Sequence, residues 1–449
     1  MRRVGVAVFA SIVAVAACGG PEDVPSGVSG SAGGSQAGAG GSQAGVGGSQ
    51  AGAGGGVSAG AAGAPSACVV KDFLADLGKD HLLVGGAMTD ATLGMAPFDV
   101  RYQYLSGGFP DSGTCASCAT GCSTKGQPCD NQAGGCAWWG CWQWDQAPPG
   151  QFVKDFVSKT KKTGAIPMIT YYEQLQDSGA SEGKGQLAAM TDPAKMKRYY
   201  DDVRFLADTL GDEPALLHLE PDLWGYFQQM GAPDPASVPV AVSTASPECA
   251  GLPGDATGFA RCLFKIVRAR APHVKIALHA SPWATNFDVT TNQDPSLDVA
   301  AEAKKLAAYL SKLGAGEADF LLVDMSDRDA GFDQKNGEDT WLDATNTTLP
   351  HFHQSFVWVK ALGEATGRPI LWWQLPLGNA SQNDTKNHWK DNRVAYFFSH
   401  LDEVRASGVA GILFGAGEPQ QTTPESDGGL FVQQSKAYFS SGAVAPLCP

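Results

Sequence analysis

Eight short apolar runs recur along the chain, and longer stretches with apolar residues at every third or fourth position separate them. The runs cover residues 81–87, 100–105, 165–172, 215–220, 274–280, 319–325, 369–374 and 409–415. The stretches that read as helices cover 151–163, 193–210, 258–271, 297–313, 350–366 and 391–407, and Gly164, Gly367 and Gly408 stand at or just past three of their ends, where helices commonly stop. This alternation predicts parallel βα units, because joining two parallel strands needs a crossover long enough to hold a helix. Eight units in one chain predict an α/β fold, a (β/α)8 TIM-type barrel. The competing architecture is a doubly wound sheet, but Val84-Gly85-Gly86-Ala87 in the first run lacks the spacing of its Gly-rich phosphate turn.

The barrel does not account for the N-terminus. Met1-Arg2-Arg3 precedes an apolar stretch, residues 4–17, that is short for a permanent membrane span. Residues 1–17 therefore read as an export signal. Val15-Ala16-Ala17-Cys18 resembles the bacterial lipobox, whose Cys becomes lipidated and begins the mature chain. Residues 18–67 are mostly Gly, Ser, Ala and Gln, with the unit Gly-Gly-Ser-Gln-Ala-Gly-Ala/Val repeating every seven positions. That unit offers no large apolar residue to a coiled-coil seam, so it predicts a flexible tether with a mean reach of about 40 Å. The expected location is the outer membrane or cell surface of a bacterium, with the membrane touched only through the lipid on Cys18.

Residues 68–449 remain for the barrel domain and hold ten of the 11 cysteines. Six of them, Cys115, Cys118, Cys122, Cys129, Cys136 and Cys141, fall within 106–149, which lacks helix or strand rhythm and reads as a Cys-rich insertion after the second strand. Cys-x2-Cys-x3-Cys could hold zinc. An exported protein meets an oxidising compartment, however, and ten is an even number, so disulfides are expected and no metal. By position, Cys249 and Cys262 close a local loop while Cys68 and Cys448 staple the ends of the domain.

A formal charge of −14 and a pI of about 5.0 leave no basic surface for a phosphate backbone, so nucleic acid is excluded as an expected partner. In a barrel, reactive groups lie at the C-terminal ends of the strands. At the fourth strand His218, Glu220 and Asp222 alternate with Leu217, Leu219 and Pro221. If the strand stays extended, the three polar groups share one face, and two neighbouring carboxyls shift each other's pKa so that one can stay protonated as a general acid. Trp224 and Tyr226 follow. Other strand ends carry Tyr172, Glu173 and Asp177; His279 and Trp283; Asp324 and Asp327; Trp373 and Gln374; and, close behind the eighth, Glu418. Carboxylates beside aromatic rings suit a sugar site, and Trp138, Trp139, Trp142 and Trp144 of the insertion are expected to extend it into a long cleft. Gly-x-Ser-x-Gly occurs at Gly56–Gly60 in the tether and at Gly179–Gly183, neither directly after a strand run as a nucleophile elbow requires, and His-Glu-x-x-His does not occur, which argues against serine-hydrolase and zincin chemistry. His351-x-His353 reads as a polar helix start.

Leu217-His218-Leu219-Glu220-Pro221-Asp222-Leu223 resembles the Glu-Pro-Asp motif of glycoside hydrolase family six, the cellobiohydrolases and endoglucanases built on a distorted β/α barrel. The Asp of that motif is the family's catalytic acid, and the resemblance carries this role to Asp222. Tyr172-Glu173 through Asp177, Ala277-Leu278-His279-Ala280 through Trp283, Asp324-Met325-Ser326-Asp327 and Trp372-Trp373-Gln374 are similar to family segments in the same order. His279 stands where the family has an aspartate, and Gln374 where it has a lysine.

Together these readings predict a surface-tethered glycoside hydrolase cleaving a polysaccharide, β-glucan foremost, by an inverting two-carboxylate mechanism. Asp222 is the expected acid. Asp177, Glu173 and Asp324 stay open as the base, and Glu220 is expected to support Asp222 or bind a sugar hydroxyl. Tyr172, Trp224, His279, Trp283, Trp373 and Gln374 are the expected sugar contacts. No cofactor is expected, and the protein is expected to be a monomer. Two alternatives stay open: a non-catalytic carbohydrate-binding or adhesion protein, and a metal-dependent glycan hydrolase using Asp324, Asp327 and His279.

Overall fold

The computed structural model of the protein describes residues 68–109, 142–144 and 148–447. The export signal, Cys18, the tether, the six clustered cysteines and Cys448 lie outside the described residues. Eight parallel strands close into a barrel in sequence order: β1 (Leu83–Gly86), β2 (Val100–Leu105), β3 (Ile166–Tyr171), β4 (Ala215–Leu219), β5 (Val274–His279), β6 (Phe320–Val323), β7 (Ile370–Leu375) and β8 (Val409–Phe414). β1 hydrogen-bonds to β2 on one side and to β8 on the other, which closes the ring. The fold is the (β/α)8 barrel.

These runs form strands because both of their faces find apolar cover, the condition that parallel sheets require. Along β4, Leu217 and Leu219 face the helices while Leu216 faces the barrel axis with Met168, Ala277, Phe320 and Leu322. Helix Pro193–Leu210 shows how the outer layer is specified. Asp192 caps its first turn by accepting from Ala194 N at 2.8 Å, Pro193 opens it, and Tyr199, Val203, Leu206 and Leu210 are buried at helical spacing against the strands. The stretch 391–407 is two helices, Arg393–Ser399 and Leu401–Ala406, broken at His400, whose ring stacks on Tyr396 with centroids 3.9 Å apart. Helix Leu223–Gly231, directly after β4, has no counterpart in the sequence reading.

Helix Val69–Asp76 closes the N-terminal end of the barrel. Its Val70, Phe73 and Leu74 belong to the axial cluster, Phe73 packs on Phe320 with centroids 5.2 Å apart, and Asp76 pairs with Lys275 at the start of β5. Burying Phe73 alone stabilises the plug by about 1.5–3 kcal/mol. Cys68, at the head of this helix, is disulfide-bonded; its expected partner lies outside the described residues. Cys249 and Cys262 are bonded to each other, with Cα atoms 5.3 Å apart. Trp142, expected in an aromatic cleft, is instead a core residue packed 4.5 Å from Phe205. His351 caps helix Phe352–Thr366 by accepting from Gln354 N.

Candidate active site

β4 stops at Leu219, and the chain beyond it is not extended. Glu220 and Asp222 both take left-handed backbone angles, with φ of 46° and 68°, and Gln374 in β7 does the same at 55°. For a residue with a Cβ each such angle costs about 1–2 kcal/mol, so the surrounding structure must hold these positions against strain. The consequence is that His218, Glu220 and Asp222 do not form one row. His218 stays in the barrel axis, Glu220 turns toward helix Pro193–Leu210, and Asp222 swings back over the mouth.

Glu220 is fully buried, accepting from the backbone N–H groups of Glu173 and Gln174 at 3.3 and 3.1 Å. Burial, with Asp202 close by, pushes its carboxyl up to about 8. Glu173 is buried beside it and accepts from Gly108 N at 2.6 Å, and its carboxyl is likewise held well above the usual range by burial and by Asp202. Asp202 in turn accepts from Tyr171 OH at 2.5 Å. Glu173, Glu220 and Asp202 thus form a buried acid cluster behind the barrel wall, where burial biases each toward its neutral form. Asp177 is elsewhere again, paired with Arg198. Of the carboxyls expected to do chemistry, only Asp222 and Asp324 line the mouth.

The mouth holds a cavity of about 460 Å³. Asp222 and Tyr226 wall one side, Tyr172 and Glu182 enter from the β3 loop, and Trp283 with Asp288 from the β5 loop. Asp324, Asp327 and Arg328 follow β6, Asp333 and Glu338 lie further along that loop, and Trp373, Gln374 and Glu418 complete the ring. Enclosure, with Glu182, Asp324 and Asp327 nearby, holds the Asp222 carboxyl well above the usual carboxylate range. A carboxyl that stays protonated near neutrality can donate a proton.

Asp324 sits just past β6 and meets His279 Nε2, at the end of β5, at 3.1 Å. The His279 ring lies 5.2 Å from that of His218 and 5.5 Å from that of Trp373, and burial and His279 push the His218 imidazole well below its ordinary value. His279 is buried beneath the cavity and does not line it, and its hydrogen bond to Asp324 links it to the cavity.

The aromatic walls depend on two close approaches. A Cβ on Gly225 would stand 2.7 Å from the Trp283 ring, so the missing side chain lets Trp283 lie against the helix and 4.8 Å from Tyr226. A Cβ on Gly417 would stand 1.9 Å from Gln374 Nε2, so the β8 loop can cover Gln374, which accepts from Tyr104 OH. Trp224 is no part of these walls. It is fully buried, donates from Nε1 to Leu219 O at 2.7 Å and packs on Phe259. Glu182, Asp288, Asp333, Glu338 and Tyr104 were missed by sequence reasoning: three sit in long loops with no periodic signal, Asp333 sits in the short helix Ala330–Lys335, and Tyr104 looks like any strand aromatic. Among the described residues, no three His, Cys, Asp or Glu side chains converge as a metal-ligand group, Asp324, Asp327 and His279 included.

A closed ring of eight parallel strands with a polar cavity at their C-terminal ends places this chain among the (β/α)8 barrels. No protein-family model and no curated protein sequence matches it. Among solved structures it is similar to a modular endo-β-1,4-mannanase from Cellulomonas fimi, of glycoside hydrolase family 26, at 11% identity and TM-score 0.45, over 85% of this chain and 79% of that one. It is also similar to a family 1 β-glucosidase from Thermotoga maritima, at 10% identity and TM-score 0.39, over 79% and 86% of the two chains. An endoglucanase from Mycobacterium tuberculosis aligns at 13% identity and TM-score 0.28, over 51% of this chain and 56% of that one. The resemblance is therefore a distant one to several glycoside-hydrolase barrels and not to family six in particular, and it concerns the fold alone.

Proposed function

We propose that the protein is a glycoside hydrolase acting on an extracellular β-linked polysaccharide, held at the cell surface by a lipid on Cys18. The observation that carries this reading is Asp222, an enclosed carboxyl biased toward its protonated form that shares one aromatic-walled cavity with Asp324. Asp222 protonates the departing glycosidic oxygen as the C–O bond to the anomeric carbon breaks. Asp324 takes a proton from a water that attacks that carbon from the opposite face, which inverts its configuration. Such a pair needs about 6.5–9.5 Å between carboxyls to admit the water. His279 orients the Asp324 carboxylate, while Trp283, Tyr226, Trp373 and Tyr172 offer ring faces to the sugars.

The test is reducing-end release from a panel of β-glucans and β-mannans by wild type and Asp222→Asn. Losing the acid lowers turnover about 10²–10⁴-fold while binding persists. Activity on dinitrophenyl glycosides, whose leaving group needs little protonation, falls far less. A wild type that binds several polysaccharides and cleaves none is a carbohydrate-binding protein on a barrel scaffold, and Asp222 is then a sugar ligand.

A further inference from the structure

The cavity is lopsided in charge, and we infer that its substrate is a polycation: a polysaccharide whose sugars carry free amino groups, such as a deacetylated glucosamine polymer. The inference rests on the glycoside-hydrolase reading and narrows it. Eight of the side chains lining the cavity are carboxylic, against the one cation Arg328, which Asp327 and Glu418 already engage at 3.0 and 2.8 Å. Asp222 and Asp324 have catalytic work. That leaves Glu182, Asp288, Asp333 and Glu338, none of which forms an ion pair among the described residues.

What these four touch does not neutralise them. Glu182 accepts from Tyr172 OH at 2.9 Å, Asp288 from Thr290 Oγ1 at 2.7 Å and Asp333 from Thr340 Oγ1 at 2.7 Å. A hydroxyl donor satisfies a carboxylate's hydrogen-bonding capacity and leaves its charge in place. The charges also oppose one another. Beyond burial, Asp222 is pushed up by Glu182, Asp324 and Asp327, whereas at Asp333 the push from Glu338 is opposed by Arg328 and Arg393. A neutral sugar gives this repulsion nothing to discharge against, whereas an ammonium group lowers it for every carboxylate within reach.

The distribution also separates a polymer from an ion. Glu182 comes from the β3 loop, Asp288 from the β5 loop, and Asp333 and Glu338 from the segment after β6, so the charge is spread around the walls and suits a ligand with several cations. A second, independent feature calls for a ligand at the same place. Trp373 is 2% exposed and forms part of the cavity wall, and its indole N–H meets no acceptor among the described residues. An orphaned buried donor is costly, and a ring hydroxyl or bridging oxygen of a bound sugar would meet it. The paired faces of Tyr226 and Trp283 add cation–π attraction for an amino sugar.

The experiment compares full-length protein on chitosan oligosaccharides and on cello- and manno-oligosaccharides of equal length, in mildly acidic buffer where the amines are protonated. Chitosan is expected to show a kcat/KM roughly tenfold or more above the neutral sugars, through focusing of charge in a cleft. That advantage should shrink as ionic strength rises from about 0.05 to about 0.5 M, because the screening length falls several-fold. Glu338→Lys, at an exposed wall position, should raise KM for chitosan several-fold more than it raises KM for neutral sugars. Cleavage of a neutral sugar with chitosan no better, or an equal effect of Glu338→Lys on both, overturns the polycation inference and leaves the hydrolase reading standing. Salt-sensitive binding of chitosan with no sugar cleaved supports the ligand class and overturns the hydrolase reading. No binding and no cleavage overturns both.

Discussion

His279 Nε2 and Asp324 Oδ1 lie 3.1 Å apart, joining the end of β5 to the end of β6 at the floor of the cavity. Where Asp324 accepts this bond the ring hydrogen sits on Nε2, and Nδ1 is buried with no hydrogen-bond partner among the described residues. The bond fixes which way Asp324 points. His279→Ala should lower kcat about 10–100-fold with little change in KM, the range seen when a group that orients a reactive ligand is lost. Asp324→Asn should lower it further, and the double variant should be no slower than Asp324→Asn, because both act through one carboxylate. Multiplicative losses in the double variant would place His279 in a separate role.

The acid cluster behind the wall makes stability depend on pH. Glu220 is held up to about 8 in the fold, against about 4.3 for an unfolded Glu. Between those values the folded chain keeps a proton that the unfolded chain releases, so stability falls as pH rises and levels off above about 8. His218, buried in its neutral form, acts in the opposite direction below about 6.5. The window from about 6.5 to about 8 isolates the acids. Thermal unfolding should show Tm dropping across it, and Glu220→Gln, neutral in both states, should flatten the slope. An identical slope in that variant would show that Glu220 is ionised in the fold.

Gly225→Ala separates binding from stability. In helix Leu223–Gly231 the substitution gains about 1 kcal/mol of helix propensity, while crowding Trp283 costs about 1–3 kcal/mol. The net is a loss of at most about 2 kcal/mol. Tm should move by only a few degrees, but KM for oligosaccharides should rise several-fold as the Trp283 ring is displaced. Unchanged KM would remove Trp283 from the set of sugar contacts.

Cys18→Ser addresses the anchor read from Val15-Ala16-Ala17-Cys18. With the lipidated thiol gone, the protein should move from the membrane pellet to the soluble fraction of lysed cells, and labelled palmitate should no longer be incorporated. Fractionation like wild type would mean that no lipid on Cys18 holds the protein.

The strands were legible because burial on both faces leaves a run such as Phe320–Val323 with no polar residue at all. Site residues were legible only as far as the strand geometry lasted. Alternation placed Glu220 beside Asp222, but β4 ends at Leu219, and the left-handed angles that follow have no signature in Glu-Pro-Asp. Loop residues fared worst. Asp177 and Glu182 are five positions apart in the same loop region, and which one reaches the cavity is decided by Arg198 holding the first and Tyr172 the second. Trp224 and Trp283 are chemically alike; the indole bond of Trp224 to Leu219 O commits it to the core.

Helix Val69–Asp76 covers the foot of a barrel whose axis is filled by Met168, Leu216, Ala277, Phe320 and Leu322, so the cavity at the mouth has no outlet through the barrel. In the proposed reaction, reactant, water and product therefore all pass through the same rim, each waiting for the last to clear. A long chain threaded across that rim blocks its own exit, so turnover on polymer should be governed by departure, and short cleavage fragments should compete with fresh chains for the opening.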